Sequence, residues 1–274
     1  MPRIALFQST TGIDPETNAR ALVTAIENAA AGGARMLFTP EMSGLLDGNA
    51  RRAAQSVVAE DDDRVLAAVC EAAARCGIWV HLGSLAVKSE EDKFANRAFV
   101  IDGDGRIRGR YDKIHLFDVD LPTGESWRES NVYRGGAATT IVEGTPVGTL
   151  GLTICYDLRF PALFSALAEA GADTIAVPAA FTVPTGKAHW HVLLRARAIE
   201  AGLFVVAAAQ SGRHEDGRET FGHSLVVDPW GEVMFDAGEG ANVGFCDIDL
   251  ARIEEVRSRV PALRHRKPIA PPAS

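Results

Sequence analysis

Three stretches near the start decide the fold class: Ile4-Ala5-Leu6-Phe7-Gln8, residues 14–33 (DPETNARALVTAIENAAAGG), and Arg35-Met36-Leu37-Phe38-Thr39-Pro40-Glu41. The first is a short apolar run that reads as a buried strand. The second sets Ala21, Leu22, Ala25, Ile26 and Ala29 at helical spacing. Asp14 is a good N-cap with Pro15 at the first helical position, and Gly32-Gly33 is a good stop. The third is another strand, with a carboxylate at its end. The grammar then repeats, with a helix over Asp63–Arg75 closed by Gly77 and a strand over Ile78–Leu85. Strand–helix–strand–helix–strand points to α/β layers.

Further along, Ala98–Asp102 and Arg106–Tyr111 flank Gly103-Asp104-Gly105, a hairpin signal. Val147–Ile154 reads as a strand, Phe160–Ala170 as a helix, Thr174–Pro178 as a strand, Lys187–Ala201 as a helix and Leu203–Gln210 as a strand. A second hairpin is expected from Ser224–Asp228 and Glu232–Phe235, then a strand over Val243–Ile248 and a helix from Leu250. No linker and no repeat of 20–50 residues interrupts this order. The expectation is one domain over 1–267, built of two sheets and covering helices, with a low-complexity, disordered tail from Pro268 to Ser274.

Composition narrows the function classes. With 47% hydrophobic and 23% charged residues, the 274-residue chain is ordinary globular material. The net charge of −8 argues against a general nucleic-acid binder and gives no reason to expect an anionic membrane as partner. No apolar run approaches the ~18 residues of a membrane helix. The N-terminus enters Ile4-Ala5-Leu6-Phe7 without a cationic leader, so a cytoplasmic protein is expected. Cys70, Cys76, Cys155 and Cys246 form no CxxC pair, which speaks against a disulfide framework or a structural zinc. The usual phosphate-loop, dinucleotide, G-x-S-x-G and H-E-x-x-H motifs are absent. His189 and His191 have H-x-H spacing, but on a helix they point to different faces; His189 reads as packing, His191 as exposed, and no metal is expected.

Cys155 ends a strand and is followed by Tyr156-Asp157-Leu158-Arg159-Phe160-Pro161 and a helix. That junction suits a nucleophile, since backbone N–H groups at a helix start lack partners. The alternative is a buried core cysteine. Glu41 stands where open α/β sheets place their sites, at the C-terminal end of a buried strand. An exposed loop acid is the more usual fate of a glutamate; Lys113 follows a strand in Tyr111-Asp112-Lys113-Ile114-His115-Leu116-Phe117 and alone is better read as a solvated lysine, and Glu129, in a loop, is uninformative alone.

Taken together, Pro40-Glu41, Tyr111 to Phe117 and Gly151 to Pro161 resemble the nitrilase (carbon–nitrogen hydrolase) superfamily, from about Ile4 to Lys267. Ala188-His189-Trp190, Leu194 to Glu200, Phe221-Gly222-His223-Ser224 and Asp228-Pro229-Trp230-Gly231 look like its amidase branch. Ala207 to His214 and Phe117-Asp118-Val119 look most like deaminated glutathione amidases, with ω-amidases of 2-oxoglutaramate as close relatives. The resemblance implies a four-layer α-β-β-α sandwich and a homodimer formed through helices beside the nucleophile. It assigns Glu41 as general base, Lys113 as catalytic lysine, Cys155 as nucleophile and Glu129 as the glutamate that positions lysine and substrate.

The implied chemistry needs no cofactor. Glu41 would take the Cys155 proton as sulfur attacks an amide carbon. Lys113 and the Tyr156 backbone N–H would hold the oxyanion, a donor of that kind being worth ~3 kcal/mol. The nitrogen would leave as ammonia, and water would hydrolyse the thioester. An anionic substrate needs a cation, and Arg159 is the first candidate, with Phe181 and Thr185, in the loop after Pro178, as pocket wall. Arg213 and His214 could reach a longer substrate, although an ordinary polar loop is the simpler reading. The partner is thus a small-molecule amide. The alternatives are an ω-amidase, an N-carbamoyl amino acid hydrolase or nitrilase, and a catalytically silent binding protein on the same fold.

Overall fold

The computed structural model describes residues 1–89, 92–120, 124 and 126–270. The first sheet contains β1 (Arg3–Gln8), β2 (Met36–Phe38), β3 (Trp79–Lys88), β4 (Phe94–Ile101) and β5 (Ile107–Asp112). The second contains β6 (Ile141–Thr145), β7 (Gly148–Leu152), β8 (Thr174–Ala176), β9 (Phe204–Ala207), β10 (Leu225–Val227) and β11 (Val233–Asp236). A last strand, β12 (Asn242–Asp247), returns to pair antiparallel with β1. The orders are β12-β1-β2-β3-β4-β5, with Tyr133–Arg134 pairing off β4, and β11-β10-β9-β8-β7-β6. Each sheet has a parallel centre, β1-β2-β3 or β7-β8-β9, with antiparallel strands at its margins.

The α-helices longer than about one turn are α1 (Pro15–Ala31), α2 (Arg64–Cys76), α3 (Pro161–Glu169), α4 (Val183–Ala201) and α5 (Ala251–Arg259), with single turns at Ala50–Ala53 and Ala262–His265. Asp14 caps α1 through Glu16 and Thr17 N–H, and Gly77, in the left-handed region at φ 63°, ends α2. The alternation of strand residues sorts the layers. Ala5, Leu37, Val80, Phe99 and Ile101 share a core with Leu22 and Ile26 of α1 and Leu66 and Val69 of α2. Their neighbours Ile4, Leu6, Met36, Phe38, Ala98 and Val100 face the second sheet instead, in a core with Leu150, Leu152, Ile175 and Val205. Phe164 and Leu167 of α3 and Trp190 and Leu194 of α4 join that core. The result is the α-β-β-α sandwich.

Several boundaries differ from the sequence reading. α4 begins at Val183 rather than Lys187, because Pro184 suits a first turn, so Thr185 lies on a helix and not in a loop. Arg159 closes a 3-10 turn (Cys155–Arg159) ahead of α3 instead of starting that helix. Two small hairpins pair Asp118–Asp120 with Ser126–Arg128 and Ser211–Arg213 with Glu219–Phe221, and Glu129 lies in a 3-10 turn, Glu129–Asn131, rather than an irregular loop. Of the expected tail, residues 268–270 are exposed and without regular structure, and 271–274 lie outside the described residues.

Candidate active site

Four strand ends converge on one cavity. Glu41 follows β2, Lys113 follows β5, Cys155 follows β7, and Ala180-Phe181 follow β8. Gly83 in β3 lets this happen, since a Cβ there would lie 2.1 Å from Thr39 O and 2.4 Å from Pro40 O. Only glycine admits so close a backbone approach. Glu129 arrives from a short turn, Glu129–Asn131, after the first small hairpin.

The four predicted residues meet. Lys113, 2% exposed, donates to Glu41 Oε1 at 2.9 Å and to both Glu129 oxygens at 3.1 and 2.9 Å. Ala180 N–H donates to Glu41 Oε2 at 3.1 Å. Cys155 is 8% exposed and sits at φ 49°, a left-handed conformation that costs a non-glycine residue ~1–2 kcal/mol. Its N–H is spent on Pro178 O at 2.8 Å and that of Asp157 on Ile154 O at 3.0 Å; Tyr156 lies between them.

Electrostatics set the resting charges. Burial works against the Lys113 ammonium, but the Glu129 and Glu41 carboxylates outweigh it and hold its pKa well above the ordinary value. Burial alone would raise the Glu41 carboxyl; the Lys113 ammonium, aided by hydrogen bonds from Lys113, Cys155 and Asn96, brings it below the usual range. Burial and then the Glu41 carboxylate push the Cys155 thiol well up, and Lys113 opposes them only in part. The site at rest is therefore a thiol, a carboxylate and an ammonium.

Sequence reasoning missed the residues that hold this cluster. Asn96 Nδ2 donates to Glu41 Oε1 at 3.0 Å and to Glu129 Oε1 at 3.2 Å. Asp157, fully buried, accepts from Tyr111 Oη at 2.7 Å and from the N–H groups of Ile154 and His115 at 2.9 and 3.0 Å, and it pairs with His115 Nδ1 at 2.7 Å. That network pins the Cys155 turn. The signal for Asn96 was legible: it shares the parity of Ala98 and Val100, so it is a polar group on an otherwise apolar inner face.

The cavity is about 980 Å³, lined among others by Glu41, Lys113, Glu129, Cys155, Phe181 and Thr185. Its guanidiniums differ in what they already touch. Arg128 Nη2 donates to both Asp120 oxygens at 2.8 and 2.9 Å, and Arg218 pairs with Asp216 at 2.7 Å. Arg159 lies over the rings of Tyr156 and Phe181 and meets His189 Nδ1 at 3.3 Å. Among the described residues it is the lining guanidinium with no carboxylate partner. His214 is buried between Thr11 and Thr220, and neither it nor Arg213 lines the cavity.

The two α4 histidines are the reverse of expectation. His189 is exposed and touches Arg159, while His191 is half-buried against Asp236. The buried stripe of α4 runs through Gly186, Trp190 and Leu194, so His191 flanks it on the β11 side. Cys70, Cys76 and Cys246 are half-buried free thiols.

The carbon–nitrogen hydrolase family profile matches residues 3–258. A deaminated glutathione amidase of Yersinia enterocolitica is 39% identical, covering 96% of this chain and 92% of its own. The crystal structure of the Caenorhabditis elegans NitFhit protein superposes with a TM-score of 0.90 at 39% identity, over 97% of this chain and 65% of that one. An amidase of Nesterenkonia sp. AN1 superposes with a TM-score of 0.80 at 26% identity, over 95% of this chain and 98% of its own; that protein's glutamate-to-glutamine mutant carries acrylamide added to its active-site cysteine.

Proposed function

Because this chain belongs to the carbon–nitrogen hydrolase family and is a hydrolase of amides, we propose that its substrate is deaminated glutathione and that Cys155 is the nucleophile. One observation carries the reading: a buried thiol, carboxylate and ammonium stand together in a cavity of about 980 Å³ in which Arg159 is, among the described residues, the lining guanidinium with no carboxylate partner.

The steps follow from the charges. Glu41 takes the Cys155 proton as Sγ attacks the amide carbon. Negative charge moves to the carbonyl oxygen, where the Lys113 ammonium and the Tyr156 N–H stabilise it, each donor contributing ~3 kcal/mol. Protonated Glu41 then gives its proton to the leaving nitrogen, and the C–N bond breaks to leave a thioester. Glu41 next deprotonates a water that hydrolyses the thioester, which regenerates the thiol and releases a carboxylate. Glu129 and Asn96 keep Lys113 and Glu41 in register.

The leaving group depends on the substrate. A primary amide such as 2-oxoglutaramate releases ammonia, and the expectation of ammonia from the sequence holds for that class only and is corrected for deaminated glutathione. Deaminated glutathione is a 2-oxo acid joined by an amide to a dipeptide, so its nitrogen leaves as the amine of cysteinylglycine. Arg159 suits the oxo-acid carboxylate, and Phe181 and Thr185 form the wall beside it. The cavity volume favours the longer substrate.

Both compounds yield 2-oxoglutarate, which makes the test direct. We expect kcat/KM for deaminated glutathione to exceed that for 2-oxoglutaramate at least about tenfold, and both rates to vanish in Cys155→Ala with the fold intact. Preference for 2-oxoglutaramate would replace the substrate assignment with an ω-amidase, and turnover by Cys155→Ala would overturn the mechanism.

The same reading includes a cytoplasmic homodimer. The four free thiols suit a reducing compartment. Val192 and Ile199 on α4 are 68% and 52% exposed and Trp230 beside them 49%, an apolar face for a second copy. Light scattering on the purified protein tests it, with a monomer as the refuting result.

A further inference from the structure

The described residues contain a second convergence of chemical groups, away from the thiol. His191 projects from α4, His223 precedes β10, and Asp236 ends β11. His191 Nε2 lies 3.0 Å from Asp236 Oδ2, and His223 Nδ1 lies 2.9 and 3.1 Å from the two Asp236 oxygens. One ligand atom from each residue falls within 4.8 Å of the other two. Two imidazoles thus aim a nitrogen at one carboxylate.

The elements holding the three groups are well tied. His223 sits at φ 55°, its N–H donating to Gly238 O at 2.8 Å and its carbonyl accepting from Trp190 Nε1 at 2.7 Å. Its ring stacks on Phe221 with centroids 4.5 Å apart. Asp236 Oδ1 also accepts from Gly238 N–H at 2.8 Å. The side chains are 37%, 23% and 33% exposed, so water can complete a coordination shell.

We propose that His191, His223 and Asp236 bind a divalent first-row transition ion through two imidazole nitrogens and one carboxylate. With metal–ligand bonds of about 2.1 Å, cis donors on such an ion stand about 3.0 Å apart at right angles and about 3.4 Å apart in a tetrahedron. The nitrogen–carboxylate spacings already match the first and need only tenths of an ångström for the second. Imidazole donors select zinc, cobalt or nickel over calcium and magnesium, which take oxygen. Each imidazole binds in its neutral form, with its proton on the far ring nitrogen. The ion would tie α4 to β11 and to Phe221, whose N–H donates to Phe181 O at 3.0 Å in the cavity wall. The amide chemistry needs no such ion, so this site stands apart from the substrate assignment.

The test uses the whole chain titrated with Co²⁺, followed by visible absorption, and with Zn²⁺ against a chromogenic chelator. One equivalent should bind, with no thiolate-to-cobalt charge-transfer band, and Cys155→Ser should leave the affinity unchanged. His191→Ala and Asp236→Asn should each weaken binding by more than about tenfold, since even outer-shell partners of a metal site are worth about 10–100-fold. His191→Ala is the deciding variant because it trims a helix surface, and its metal-free circular dichroism and melt should match wild type. Zn²⁺ should raise the melting temperature of wild type and not of that variant. Absence of stoichiometric binding, binding that survives His191→Ala, or a thiolate band that disappears with Cys155→Ser would each overturn the proposal.

Discussion

Replacing Glu129 by glutamine tests how Lys113 is held. Glu129 accepts from Phe117 N–H at 2.7 Å, from Asn96 Nδ2 at 3.2 Å and from Lys113 Nζ at 3.1 and 2.9 Å. An amide of the same shape offers one oxygen. With that oxygen in the Oε2 position, Phe117 and one lysine contact are kept. The NH₂ then faces Asn96 Nδ2 and Lys113 Nζ, donor against donor. A hydrogen bond to a charged group contributes ~1.5–3 kcal/mol, so losing two costs about 3–6 kcal/mol before relaxation. The side chain is 13% exposed, and small shifts with entering water bring this to about 2–4 kcal/mol. If the loss falls where Lys113 meets the oxyanion, kcat/KM drops by about 30–1000-fold at ~1.4 kcal/mol per factor of ten. The loss should sit in kcat, with KM within about threefold, because Glu129 acts through the lysine. Steady-state kinetics on deaminated glutathione, alongside a melt that confirms folding, would read it. A kcat within about threefold of wild type, or a purely KM effect, would refute the positioning argument.

Four further outcomes are expected. Glu41→Gln removes the carboxylate that raises the Cys155 thiol and leaves Lys113 beside it, so the pH of half-maximal iodoacetamide labelling should fall; an unchanged or higher midpoint contradicts the charge assignment. Arg159→Ala should raise KM for either 2-oxo acid amide by about 10–100-fold, the worth of a charge-assisted pair of ~1.5–3 kcal/mol, and equal KM values would remove Arg159 from the site. Asp157→Asn keeps one oxygen; with it at Oδ2, Tyr111 and Ile154 retain their acceptor while the His115 N–H and Nδ1 face an NH₂, so urea unfolding should show a loss of about 3 kcal/mol, and a loss under about 1 kcal/mol means the network is dispensable. His81 is held by burial at a pKa of about 3 against an ordinary 6.5, so it stays neutral when folded while the unfolded chain protonates. Its contribution is full above 6.5 and is lost as pH falls towards 3, at ~1.4 kcal/mol per unit. Between pH 7 and pH 5, His81→Phe should therefore lose about 2 kcal/mol less stability than wild type, and parallel losses would exclude His81 as the cause.

The chain announces its layers through local signals. Asp14, Pro15 and Gly77 act within one helix turn, so the ends of α1 and the close of α2 are readable without tertiary context. The small hairpins at 118–128 and 211–221 are not, because strands of three residues carry no usable period. The same division runs through the site. Glu41, Lys113 and Cys155 stand in recognisable segments, whereas Asp157, inside one of them, becomes an anchor only once Tyr111 and His115 arrive from β5. His191 could not be paired from sequence because its partners are 32 and 45 positions away.

Glu41, Asn96 and Lys113 belong to the first sheet, while Cys155 and the Ala180 amide belong to the second. Neither half of the sandwich carries a working set of groups. Each could gather its own strands and still leave a lone thiol or a lone charged pair facing water. In the proposed mechanism turnover thus reports on the docking of two sheets rather than on either one. Activity should appear at the last step of assembly, when the seam between them closes and expels solvent, and it should disappear with the first opening of that seam.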